Sequence, residues 1–291
     1  MTLLRETVKI IGLTSTILIC TLLFCKPSFA ALSLDQLKSF MRETVIPSWE
    51  KAATKVDKEM ASEKKDSWKN IWRTLDAESK INFGTPALTK ASRPSNGDEI
   101  LANSLWLRRK ILSEAADGRY SYAYALDLTL IKPNGGNYDD VTAAFLIHAR
   151  LALAIDGARC KDRSSPESIV LGYETQNSIR PLIDKLNKMS PRGRALASLQ
   201  AIAIEEMRGE RPPMEWLCGN GMSSINEAFR KGRQPQKVEQ GKYKKEPLLN
   251  QGNNYSIDIS GIRPSLVSDE EWKILRREIL DKYLSKAYEA L

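Results

Sequence analysis

Val141-Thr-Ala-Ala-Phe-Leu-Ile-His-Ala-Arg-Leu-Ala-Leu-Ala-Ile155 decides the fold of this 291-residue chain. Almost every position is apolar or Ala, with no single wet face, as in a helix surrounded by others. The run carries His148 and Arg150 and falls short of the roughly twenty apolar residues that a membrane helix needs. It reads as the central helix, from Asp139 to about Cys160, of an all-α protein: a bundle-like domain with a helical N-terminal arm and one minor β element at most.

The rest of the chain supports that class. Ser33 with Gln36 forms a capping box ahead of Leu34, Leu37, Phe40 (or Met41) and Val45; Pro47 interrupts, and Trp49, Ala52, Ala53, Val56 and Met60 resume the spacing. This is one kinked helix or two. Trp68, Trp72 and Leu75 mark a further helix, and Asn82 to Gly97, with Gly84, Pro86 and Pro94, reads as an irregular connector. Ile100 to about Ala116 is helical. Tyr120, Tyr122, Tyr124, Leu126, Leu128 and Leu130 alternate, so that stretch is open between strand and short helix. Ser165-Pro166 and Ser190-Pro191 each pair a favoured N-cap with a favoured first-turn proline, Ser224 with Glu227 caps a short helix, and Ser268 with Glu271 opens a terminal one. That last helix carries Trp272, Leu275, Ile279, Tyr283 and Leu284 on one face. The resulting organisation is 1–30 leader, 31–97 arm and connector, 98–230 helical core, 231–266 irregular basic loop, and 267–291 C-terminal helix packed on the core.

The leader has the order of a secretory signal peptide. Arg5 and Lys9 precede an uncharged run from Ile10 to Phe24, and Ser28-Phe29-Ala30 places small residues before a cut at Ala31. The expectation is a protein exported to the periplasm or released, cleaved after Ala30 and without a transmembrane span in its mature form. Cys20 and Cys25 leave with the leader, and Cys160 and Cys218 remain as the one pair in a compartment that favours disulfides. Losing Arg5, Lys9, Lys26 and Glu6 lowers the formal charge from +8 to +6.

The chemical inventory is short. His148 is the one histidine, and any Ser-His-acid or Cys-His site would have to use it from within the most apolar helix. No HExxH, P-loop or dinucleotide fingerprint occurs, and no familiar zinc spacing; no metal and no cofactor is expected. Carboxylates remain: Asp156 and Asp162 flank Cys160, and Glu205 and Glu206 end an Ala-rich helix. With the bridge closed, Asp156, Asp162, Glu215 and Trp216 would approach one another, as a glycosidase-like acid pair requires; otherwise these acids cap helices and pair with Arg159, Arg163 and Arg208.

Seven cations and two acids stand between Arg230 and Glu246, and Lys237, Lys242, Lys244 and Lys245 are its candidate anion-binding residues. Tyr243 is the single aromatic there, too little for a base-stacking platform, so nucleic acid is not the expected partner. The preferred reading is a non-enzymatic binding or assembly factor of the bacterial envelope, its partner an envelope protein or an anionic polymer or lipid surface. The alternative is a carboxylate-dependent hydrolase of a cell-wall or extracellular polysaccharide.

Overall fold

A computed structural model describes residues 32–131, 139–219, 221–237 and 255–291. The leader and Lys242, Lys244 and Lys245 lie outside the described residues. The fold is all-α, and no helix among the described residues is long and apolar enough to cross a membrane. Two compact units emerge: unit one holds 32–152, 182–211 and 279–291, and unit two holds 153–181 and 212–278.

Unit one opens with α1 (Leu34–Phe40), whose Ser33–Gln36 capping box forms as expected. Pro47 does not break the chain into separate helices. A π-helical turn, Met41–Val45, leads into α2 (Ile46–Ser62), with Ile46 N–H donating to Met41 C=O. Proline cannot donate to the fourth carbonyl back and its ring crowds that group, and a widened turn relieves both. Trp49 of α2 is thereby buried and donates from Nε1 to Gln200 Oε1 at 2.7 Å. α3 (Asp66–Ser79) buries Trp68, Trp72 and Leu75.

The stretch read as an irregular connector is instead largely ordered. A 3₁₀ turn (Asn82–Gly84) runs into α4 (Thr85–Ala91), because Pro86 falls in the first turn of a helix, where its missing N–H costs nothing. Asn96 then caps α5 (Gly97–Leu112) by accepting from Glu99 N.

The alternating tyrosines lie on a helix, α6 (Gly118–Leu130), capped by Asp117. Tyr120, Tyr122, Ala123, Tyr124, Ala125 and Leu128 are all buried, and a helix covered on nearly every side has no polar stripe to betray its 3.6-residue period. The central helix, α7 (Asp139–Gly157), stops three residues short of Cys160. Its Phe145 is the hub of unit one, edge-on to Trp49 at 5.9 Å and to Tyr124 at 4.6 Å between ring centres. The segment read as an arm thus supplies Trp49 to this core. After α8 (Ser164–Glu174), which belongs to unit two, come α9 (Arg180–Lys188) and α10 (Pro191–Arg208), the latter capped by Ser190 as expected.

Unit two contains α8 (Ser164–Glu174), α11 (Glu215–Cys218), α12 (Met222–Arg230) and a two-residue antiparallel pairing of β1 (Gln236–Lys237) with β2 (Tyr255–Ser256). Cys160 and Cys218 form a disulfide. Beside it, Lys161 N donates to Ser265 C=O and Val267 N to Arg159 C=O, so the chain returning from the basic segment is stitched to the residues just after α7. The terminal helix, α13 (Asp269–Glu289), starts at Ser268, whose Oγ accepts from Glu271 N. Its Trp272 is buried, donates to Ile155 C=O at 2.9 Å, and lies under the Arg159 guanidinium at 3.6 Å. The buried face is rotated from the one the sequence suggests: Trp272, Leu280, Leu284 and Ala287 are buried, while Leu275, Ile279 and Tyr283 are half-buried.

Two capping expectations need correction. α8 begins at Ser164, ahead of Ser165, whose hydroxyl donates to Leu217 C=O instead. α12 begins after Gly221, which places Ser224 inside the helix and buried. In both cases the Asp162 carboxylate takes over the helix start.

Candidate functional site

The polar centre of unit one gathers around His148, which is fully buried. Its Nδ1 is 2.7 Å from Ser121 Oγ, its Nε2 is 2.8 Å from Arg208 Nη1, and Glu205 Oε2 lies 3.6 Å from Nε2. Glu205 holds Arg208 at 3.1 Å and Arg211 at 2.6 Å; Arg208 also donates to Ala116 C=O, and Arg211 to Ala152 C=O. Ser121, His148 and Glu205 are the residue types of a nucleophilic triad, and their hydrogen-bond polarity is the opposite of one. A guanidinium has donors only, so Nε2 must accept from Arg208, and the ring proton sits on Nδ1, donating to Ser121 Oγ. A serine hydroxyl that accepts from the imidazole is not being deprotonated by it. Burial holds the His148 pKa down to about 4, so the neutral ring persists at pH 7.

Glu205 follows from the same cluster. Burial favours its neutral acid, but the Arg211 and Arg208 guanidiniums outweigh that and hold the carboxyl below the usual range. Glu206, its neighbour, is half-buried on the next position of α10.

The other cluster of acids expected from the sequence, in unit two, is a helix-start lock. Asp162 Oδ1 accepts from Ser164 N at 3.0 Å and Ser164 Oγ at 2.6 Å; Oδ2 accepts from Ser223 N at 2.6 Å and also from Ser223 Oγ. One carboxylate therefore satisfies orphan donors at the starts of α8 and α12. Hydrogen bonds from the Ser164 and Ser223 hydroxyls, then from Ser223 N, hold its pKa well below the carboxylate range. Asp156 is buried at the end of α7, Glu215 is exposed and Trp216 half-buried.

The pairing of Glu205 with Arg208 follows the capping-and-pairing reading of these acids, whereas sequence reasoning passed over Ser121 and Arg211 around His148, and Asp127 as a separate buried acid. Asp127 on α6 is fully buried, accepts from Ser104 Oγ at 3.3 Å, and has its pKa pushed up by burial to about 8. No local spacing marks these residues; what they share is burial. Among the described residues no three His, Cys, Asp or Glu side chains converge as metal ligands. Lys237 lies in β1.

No family model, curated protein or solved structure matches the chain. The chemistry of its own residues is what bears on its role.

Proposed function

We propose that this protein is an exported, non-enzymatic binding or assembly factor of the bacterial envelope. One observation carries the non-enzymatic half: the single histidine sits sealed in the protein interior with Nε2 accepting from Arg208, a polarity that serves packing and not proton abstraction. The acids singled out in the sequence fit the same reading. Glu205 bridges two arginines and Asp162 caps two helices, and neither has the raised pKa of a glycosidase's proton donor. The export half rests on the leader and on the Cys160–Cys218 bridge, a bond typical of oxidising compartments.

Incubating the purified protein with peptidoglycan sacculi tests the reading. The expected result is retention that weakens with salt and with joint replacement of Lys242, Lys244 and Lys245 by alanine, with no soluble sugar fragments released. Release of fragments would establish the hydrolase alternative. N-terminal sequencing tests the export half: an intact Met1 on cytosolic protein would remove the envelope setting.

A further inference from the structure

We propose that the turn Ile81–Phe83 and the open groove beside it dock on an anionic phospholipid surface, Ile81 and Phe83 entering the apolar layer and Lys90 and Arg93 meeting the phosphates. The proposal takes the source of the lipid from the envelope reading and its contacts from unit one alone.

Phe83 is 64% exposed and Ile81 54%, so two large apolar side chains stand in water at one tip. The backbone beneath them is strained. Asn82, Phe83 and Gly84 have φ of 44°, 55° and 79°, three successive left-handed residues, of which Phe is the one poorly suited to that region. The turn is held by its surroundings. Arg119, buried and paired with Asp117 through bonds of 2.9 and 2.7 Å, donates to Phe83 C=O at 2.6 Å. Gly84 packs so closely that a Cβ would come within 2.5 Å of the Tyr120 hydroxyl. A buried ion pair and a glycine thus fix a backbone whose aromatic side chain contributes little packing to the unit. Such over-determined strain is typical of contact sites for external molecules.

The groove, of about 720 Å³, is lined by Asn82, Thr85, Pro86, Thr89, Lys90 and Arg93, with Glu78 at one side. Lys80 adjoins the tip in sequence. Lys80, Lys90 and Arg93 outnumber Glu78, which pairs with Lys90 at 3.3 Å. Cations lining a groove beside exposed apolar side chains match an anionic headgroup layer over a hydrocarbon one. A second copy of the chain fits worse, since pairing through this face would bring both sets of cations together.

The test is co-sedimentation of the protein, purified from cells expressing the whole chain, with vesicles of phosphatidylcholine alone or mixed equally with phosphatidylglycerol. Binding is expected on the mixed vesicles and not on the neutral ones. Phe83→Asn removes the apolar contact while relieving the backbone, so it should weaken binding about tenfold and raise the melting temperature together. Ile81→Ser should weaken binding in the same direction, and joint Lys90→Glu and Arg93→Glu by more than about tenfold. No binding by the wild type, equal binding to neutral vesicles, or unchanged binding by F83N would each overturn the proposal. So would loss of binding on replacing Lys242, Lys244 and Lys245 with F83N unaffected, which would assign lipid contact to the basic segment. A cytosolic, uncut chain would remove the envelope reading and leave the vesicle result unaltered.

Discussion

Glu205 is the residue on which the interior of unit one depends. It is fully buried between two guanidiniums, and each is itself at most 8% exposed. Glu205→Gln keeps the shape and removes the charge, leaving two buried arginines facing one another. A loss of about 3–5 kcal/mol in urea unfolding is expected, because an unpaired buried charge costs more than the pair contributes; a loss below about 1 kcal/mol would show that the two arginines do not depend on the Glu205 charge. His148 and Asp127 set the pH response, with opposite signs. The folded His148 pKa of about 4 lies below the ordinary 6.5, so the unfolded chain binds the extra proton and stability is lost as pH falls from 6.5 towards 4. The folded Asp127 pKa of about 8 lies above the ordinary 3.8, so stability is lost as pH rises from 3.8 towards 8. Between about pH 4 and 6.5 the two nearly cancel, and above 6.5 Asp127 acts alone. Asp127→Asn should therefore stabilise the protein at pH 8 by about 1–3 kcal/mol and uncover an acid-side loss below pH 6.5, read from melts across that range. An unchanged profile would mean that Asp127 is ionised within the fold.

At the scale of elements, local rules worked where the helix start was local. Ser33 with Gln36, Ser190 ahead of Gly193 and Ser268 with Glu271 all cap as their spacing implies, because donor and acceptor lie within one turn. They failed at α8, where Asp162 in place of Ser165 takes the helix start from two residues upstream, and at α12, where the same carboxylate reaches across 61 residues of chain to satisfy Ser223 N. That lock depends on Gly221, whose added Cβ would collide with Asp162 Oδ2. Gly221→Ala should cost about 1–3 kcal/mol in thermal unfolding. Asp162→Ala should cost a comparable amount, and the double variant little more than either alone, since both break the same contact. Full additivity would show that the two act separately. The π-helical turn before Pro47 makes the converse point: proline predicts a disturbance, and whether the helix breaks or widens is settled by the need to keep Trp49 on Gln200 and Phe145.

For the whole molecule, both cysteines of the disulfide belong to unit two, and the loop they close, 58 residues in sequence, includes 182–211 of unit one. The chain-entropy relation gives it about 4 kcal/mol against the unfolded chain. Cys160→Ser with Cys218→Ser should therefore lower protection from hydrogen exchange across 153–181 and 212–278 far more than across 32–131. Equal loss throughout would mean that the units do not unfold separately. Surface chemistry also belongs to this scale: the formal charge of +8 on the full chain favours anionic partners in general, while the tip at Phe83 gives one place where apolar and cationic groups coincide.

The all-α class, the central helix, most helix starts and the Cys160–Cys218 pairing were legible in the residues themselves, because hydrophobic period, capping and cysteine count are short-range or exhaustive signals. The helical state of the tyrosine stretch, the ordering of Asn82 to Ala91, the rotation of the buried face of α13 and the seating of Ser121 and His148 beside Glu205 and Arg208 were not. Each depends on which distant side chains surround a residue. Burial removes the polar stripe that reveals a helix, and a charge can be hidden only where the fold brings its partner.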